Sequence, residues 1–506
     1  MLPQTLQPKK GVDDIWPVNG KRVLIRVDFN VNIRTGVIEN DYRIRLAIPT
    51  ISRILDQGGI CILMSHLGQP KSVDINTAAM IREECQQRKK HILSYDGGSK
   101  ISFFEKLSGE DKALILSWSS RKEKLMSLSV NPGSGKTAVF AKLPDEEKKH
   151  LIARFIKEST ERVFQKPFQT TKSEQEFSLR LVGERLAELL DQRVFFAYDC
   201  LNARKEIKKL GPGDVMLLEN LALYEEENST DENKRLQMAQ ILASYGDIYI
   251  NDAFTLVQSE AASITGIPKV MGHGVAGYFM DKEISYWIQL LNKPARPLTL
   301  IVGGSSLSSK IWLIDYMLTL VDSLIIGGGV ALPFLKAQGH PTGATKCDEE
   351  IVRRARKVLK TAHERKVNVH LPVDHLCHND PSPTARPMIT NDANIPDGFT
   401  ALDIGPKTIS TFAKVIGSSK SVIWNGPMGM FEMPCYSKGT FAIAKVIGDA
   451  TVRRGLLSTI IGGDTTIAAE RCEQVARVSH VWASTVALDL LEGKLLPGIG
   501  ALDNKD

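Results

Sequence analysis

Short apolar runs closed by turn residues recur along the chain: RVLIRVDF at 22–29, GICILMS at 59–65, RVFFA at 193–197, DVMLLE at 214–219 and DIYIND at 247–252. A second series follows, with LTLIVGG from 298, VDSLIIGGG at 321–329, VNVHLPVD at 367–374, SVIWNGP at 421–427 and LSTIIGGD at 457–464. Between them, stretches such as SLRLVGERLAELLD at 178–191 and IVRRARKVLKTAHERK at 351–366 repeat apolar residues at three- and four-residue spacing. That is the period of a helix with one buried face. Alternating β and α units predict an α/β fold, two doubly wound parallel sheets with helices on both faces. The helical stretch 277–297 closes in prolines between the two series and reads as the joint between an N-terminal domain, 1–276, and a second domain, 298–485.

Residues 73–177 break this rhythm with charged, helix-prone pieces around a turn-rich centre, and read as an inserted subdomain. Inside it, NPGSGKTAVF at 131–140 imitates a phosphate loop. The Walker pattern needs a glycine five positions before the terminal Gly-Lys, where this chain has Val130, and the stretch reads as a solvated turn.

Composition narrows the function classes. The chain has 506 residues, 43% hydrophobic and 24% charged, as globular domains do. A formal charge of +6 is slight for that length and implies no nucleic-acid partner. No stretch is apolar for long enough to span a bilayer, and neither end carries a signal peptide, a peroxisomal tripeptide or a lipidation signal. The seven cysteines are dispersed, as in a reducing compartment.

In open parallel sheets ligands bind beyond the carboxyl ends of strands, so the residues after each run are the candidates for chemistry. Asp28 and Asn30, Ser65 and His66 stand there, with Arg43 in NDYRIR, though each also suits a turn or cap. Five glycine loops, GGSSLSSK, IIGGGVA, DIGPKT, WNGPMGMFE and IIGGDTT, fall at strand ends of the second series and favour close backbone approach to phosphates. His375, Cys377 and His378 sit together in VDHLCH, but neighbours on an extended segment face opposite sides, and no second cluster completes a metal set.

The motifs RVLIRVDFNV, DYRIR, LMSHLG, VMLLEN, INDAF, TGIP, DIGPKT, WNGPMGMFE and GGDTT, in this order, resemble the phosphoglycerate kinase family, and details such as FLKAQGH are similar to its long, insertion-bearing trypanosomatid type. The resemblance implies two domains that close about a hinge, with 486–506 returning to the first. It implies phosphoryl transfer between ATP or ADP, with Mg2+, and 3-phosphoglycerate or 1,3-bisphosphoglycerate, in a monomer. It implies a glycosomal address, with the cytoplasm as the alternative.

Carried over by position, the acid site comprises Asp28, Phe29, Asn30, Arg43, His66, Leu67, Gly68 and Gln69. The nucleotide site comprises Gly303, Gly304, Lys310, Asn425, Pro427, Glu432, Gly462, Gly463, Asp464 and Thr465, with Asp464 near the metal. Arg43 and Lys310 would act in catalysis.

The departures fall where the family carries cations. Gln69, Ala222 and Ser259 stand in place of arginines, Gln258 in place of a histidine, and Ser306 in place of the lysine that steadies the migrating group. Trp482 and no glycines occupy the segment near the domain interface. Because phosphoryl transfer depends on positioning and charge stabilisation, these changes imply impaired turnover. A catalytically inactive nucleotide-binding protein, or an interaction protein whose insertion binds an unknown partner, stands as the alternative.

Overall fold

The structure is a computed structural model that describes residues 6–71, 177–380, 382, 386–482, 485–494 and 496–505, with 100–105, 112, 115, 140, 141 and 143–153 in between. Most of the expected insertion, and the NPGSGK stretch read as a turn, lie outside the described residues.

All ten apolar runs are strands. In the first sheet they are β1 (Arg22–Arg26), β2 (Ile60–Met64), β3 (Val194–Ala197), β4 (Val215–Leu218) and β5 (Ile248–Asn251), joined by a two-residue strand β6 (Val275–Ala276). The second sheet holds β7 (Leu298–Val302), β8 (Ser323–Ile326), β9 (Asn368–His370), β10 (Ser421–Asn425), β11 (Leu457–Ile461) and the short β12 (His480–Trp482). The spatial orders are β3-β4-β2-β1-β5-β6 and β9-β8-β7-β10-β11-β12. Every pairing within the two sheets is parallel. The central strands β2, β4, β7 and β10 are buried along their whole length, as strands covered by helices on both faces must be.

β6 and β12 are too short to show as apolar runs, and pairing with β5 and β11 defines them. A third sheet is antiparallel and also absent from the sequence reading: His375–His378 lies between Met388–Ile389 and Thr400–Ile404. It places His375 and Cys377 on one buried side and His378 on the other. Among the described residues no cluster of histidine, cysteine or carboxylate side chains fits a metal ion.

The expected joint is the helix Tyr278–Asn292, which buries Met280, Ile284, Trp287, Leu290 and Leu291 at helical spacing. Its buried face belongs to a single hydrophobic cluster running from Leu24 of the first sheet to Leu300 of the second. Each large side chain so buried contributes roughly 1.5–3 kcal/mol. Among the described residues no helix is long and apolar enough to cross a membrane.

Candidate active site

In each sheet the chain leaves two neighbouring central strands in opposite directions, β1 and β5 in the first and β7 and β10 in the second. A crevice opens beyond the carboxyl ends of strands at such a point. The residues singled out in the sequence gather at these two places.

At the first crevice, Asp28 follows β1 and is buried. Its carboxylate accepts from the Arg43 guanidinium and from the hydroxyl of Thr255, which stands beyond β5. The Asp28 carboxylate also accepts from the Asn30 amide N–H at 3.1 Å, and the Asn30 side-chain oxygen accepts from Gly68 N–H at 2.8 Å. Phe29 N–H donates to Ser65 Oγ at 2.9 Å, locking the turn after β1 to the turn after β2. Leu67 is held at both its N–H and C=O by the Asn220 side chain, at 3.0 and 2.8 Å, and the same Asn220 oxygen accepts from Ala222 N–H at 2.9 Å. Gly68, Gln69 and Ala222 are thereby set side by side. Gly68 has φ +64°, and a Cβ there would fall 2.7 Å from the Phe177 ring.

Beneath this layer Arg26 is fully buried. It donates to Ser263 Oγ at 2.8 Å, and Ser263 donates in turn to the buried Glu227 carboxylate at 2.5 Å. Burial pushes the Arg26 pKa down and the Glu227 pKa up, and each one's charge opposes the other's shift. The second Arg26 nitrogen lies 3.5 Å from His66 Nδ1. A guanidinium only donates, so Nδ1 accepts and the His66 ring proton sits on Nε2. Burial, then the Arg26 charge, lowers the His66 pKa to about 4, so the ring is neutral at ordinary pH.

At the second crevice the glycine loops pack backbone on backbone. Gly303 N–H donates to Asn425 C=O at 2.9 Å and Gly304 N–H to Pro427 C=O at 2.8 Å. A Cβ on Gly303 would come within 2.2 Å of the Pro427 carbonyl oxygen, so only glycine permits this approach. Lys310 donates to the Asn425 side chain, whose own amide donates to Ile461 C=O at 2.8 Å. Thr465 Oγ accepts from Gly426 N–H at 2.7 Å. Burial lowers the Lys310 pKa, and Asp464 and Glu492 oppose that shift. Gly462, at φ +95°, precedes the helix Gly463–Arg471, whose first turn carries the exposed Asp464. Gly304 and Gly463 both face open space.

One ammonium, one carboxylate and a helix N-terminus around bare glycine backbone are groups whose chemistry suits a polyphosphate. A single carboxylate suits Mg2+, which takes much of its coordination from substrate phosphates and water. Ser306 lies in the same loop with its hydroxyl on Ser308 at 2.7 Å. Glu432 is exposed, further along the loop that begins at Asn425.

The profile of the phosphoglycerate kinase family matches residues 12–129 and 138–494. The chain belongs to the phosphoglycerate kinase family. The interruption at 130–137 falls on the NPGSGKT turn, which is no part of the family's pattern. Phosphoglycerate kinase A of Trypanosoma brucei brucei is 51% identical over 98% of this chain and 97% of its own. Glycosomal phosphoglycerate kinase of Crithidia fasciculata is also 51% identical, over 99% of each chain. Cytosolic phosphoglycerate kinase of Trypanosoma congolense is 45% identical over 99% of this chain and 100% of its own. Among solved structures, phosphoglycerate kinase from Coxiella burnetii superposes with a TM-score of 0.70 at 27% identity, covering 98% of each chain.

Thr255, Asn220 and Arg26 belong to the first crevice although the sequence reading gave them no role there, whereas Ser65 was among the strand-end candidates. Asn220 lay in the quoted VMLLEN motif, where the signal was present. Thr255 bonds across 227 positions of sequence, and nothing local announces it.

Proposed function

We propose that this phosphoglycerate kinase family member transfers a phosphoryl group between ATP and the carboxylate of 3-phosphoglycerate, more slowly than its relatives. The observation that carries the proposal is the pairing of crevices: Lys310, Asn425 and Thr465 around glycine backbone in one, and Arg43, Asp28 and Thr255 in the other. Lys310 would meet the nucleotide phosphates, and Asp464 would stand beside Mg2+, which supplies charge neutralisation when bound. Arg43 would orient the substrate carboxylate. Domains at 1–276 and 298–485 would close about the helix between them, with 486–506 anchored on the first, in a monomer. A glycosomal site accords with the names of the relatives at 51% identity, and the cytoplasm with that of the one at 45%.

Slow turnover follows from Ser306, which has no cation to offer the migrating group. Removing one well-placed transition-state donor lowers rates by roughly 10²–10³. The triple variant Ser306→Lys, Ala222→Arg, Ser259→Arg should raise kcat/KM in a coupled assay by at least about tenfold. Native turnover equal to that of the trypanosomatid relatives sinks the proposal. The bond between Ser306 and Ser308 supports a second reading, a nucleotide-binding protein without turnover, and no activity in native chain and variant alike would favour it.

A further inference from the structure

We infer that the outer face of the helix Glu349–Glu364 docks on an anionic bilayer surface, with the exposed indole of Trp312 beside it entering the headgroup layer.

The sequence sets this face apart. From Ile351 to His363 the chain reads IVRRARKVLKTAH, five cations with no carboxylate among them. Ala355, Val358 and Ala362 are buried in the hydrophobic cluster, which fixes the helix by its apolar side and turns the cations out. Arg353, Arg354, Arg356, Lys357 and Lys360 are all exposed. Arg353, Lys357 and Lys360 fall at i, i+4 and i+7, one line along the helix, with Arg356 beside it.

In the helix Arg180–Leu190, by contrast, each arginine meets a carboxylate three or four residues on, Arg180 with Glu184 at 3.0 Å and Arg185 with Glu188 at 2.5 Å. The carboxylates of Glu349–Glu364 stand at its ends. Asp348 caps it, Glu349 pairs with Lys336 at 2.9 Å, Glu350 with Arg354 at 2.8 Å, and Glu364 lies 3.9 Å from Lys360. Exposed pairs of this kind hold weakly. The two middle turns therefore stay cationic.

Trp312 is the second, independent observation. It is 68% exposed on the helix Ile311–Met317, whose other apolar residues Ile311, Leu313, Ile314 and Met317 are buried. Asp315 lies one turn on from Trp312 and shares its face. Burial pushes the Asp315 pKa up, and Lys357 and Arg354 oppose the shift, so this face adjoins the basic helix. Cations draw anionic headgroups, and an indole rests at their level with its ring in the apolar layer and its N–H in water. A single-stranded nucleic acid is held in a cationic groove with several stacking rings. Here the cations lie on a convex face with one ring, which a flat bilayer can meet.

The test is flotation of the full chain with vesicles of phosphatidylcholine and of an equal mixture of phosphatidylcholine and phosphatidylserine, at low and high salt. Each Lys or Arg near an anionic surface is worth about fivefold in partitioning. Binding to the mixed vesicles should exceed binding to the neutral ones by at least about a hundredfold and collapse at high salt. Equal binding to both, or binding to neither, overturns the inference.

Lys357→Gln with Lys360→Gln changes two exposed side chains and should lower binding to the mixed vesicles by about twentyfold. Unchanged binding places the bilayer on another face and overturns the inference. The native chain should show a blue shift in tryptophan fluorescence on the mixed vesicles that Trp312→Phe abolishes, and a shift that persists in the variant also overturns it. If the native chain binds single-stranded RNA or duplex DNA more tightly than the mixed vesicles at the same salt, and the double variant loses that binding, the partner is a nucleic acid and the inference is wrong.

Discussion

Two side chains, His66 and Lys310, have pKa values that burial lowers, and each makes a measurable difference. For His66 the folded pKa, about 4, lies below the ordinary 6.5. Between those values the unfolded chain binds a proton that the folded chain refuses, so this contribution is complete above about pH 6.5 and is lost as pH falls toward 4. The shift corresponds to an upper bound of about 3 kcal/mol. His375 has the same sign, whereas the buried Asp403 and Glu283, each pushed up to about 7 by burial, favour folding as pH falls. The clean observable is therefore the difference between native chain and His66→Gln in urea melts from pH 7 to 4, which should shift against the native chain as pH drops. A flat difference removes His66 from its buried place under Arg26. Lys310 is lowered by burial yet sits with Asp464 and Glu492, which preserve its charge. Lys310→Met should weaken Mg-ADP binding by roughly ten- to a hundredfold, read by calorimetry. Unchanged affinity would move the nucleotide away from Asn425.

The elements that build the second crevice owe their closeness to absent Cβ atoms, so glycine substitutions should divide sharply by location. Gly426 has φ +100°, and a Cβ there would lie 2.3 Å from the Gly303 carbonyl oxygen. Gly426→Ala should destabilise the chain by about 2–4 kcal/mol, since backbone must move and a left-handed conformation is strained as well. Gly417 lies inside the helix Pro406–Ser418 with nothing near its Cβ direction, and Gly417→Ala should stabilise by about 0.5–1 kcal/mol. Urea denaturation of the two variants tests both signs, and a mild Gly426→Ala would deny the tight packing of the loops. The same physics decides what could be read from the chain. Buried parallel strands are continuous apolar runs, so all ten were legible. β6, β12 and Met388–Ile389 carry too few residues to show, and His375–His378 and Thr400–Ile404 are interrupted by polar residues, so neither reads as an apolar run. At the crevices, Asp28 and the glycines announced themselves at strand ends, because that is where a doubly wound sheet exposes them, while Arg43 and Lys310 stand at the starts of the helices that follow. Arg26 and Thr255 did not. Arg26 lies within an apolar run and finds its partner Ser263 237 positions away, and Thr255 looks like any turn residue until the sheet order brings β5 beside β1.

At the scale of the molecule, the hydrophobic cluster that runs between the two sheets includes three neighbouring aromatic rings, with a polar clasp beside them. Trp482 at the end of β12 stands 5.1 Å from the Phe254 ring, beyond β5, and 6.2 Å from Trp287 on the joining helix. The clasp is Gln258, which donates to Asp489 and accepts from Thr485, while Asp489 is also held by Lys494 at 2.6 Å. Phe254 is the neighbour of Thr255, so the junction is in direct covalent register with the residue that bonds Asp28 in the first crevice. Two variants separate stability from positioning. Trp482→Ala removes a nearly buried ring touching both halves and should destabilise by about 3–5 kcal/mol, with a red shift in the fluorescence of Trp287 as water reaches it. Gln258→Ala leaves Asp489 paired with Lys494, so the stability loss should stay near or below about 1 kcal/mol. Its effect should appear instead as weaker binding of the acid ligand, because the turn bearing Thr255 is freed at one end. If Gln258→Ala leaves acid affinity intact while Trp482→Ala costs the predicted stability, the clasp is only packing.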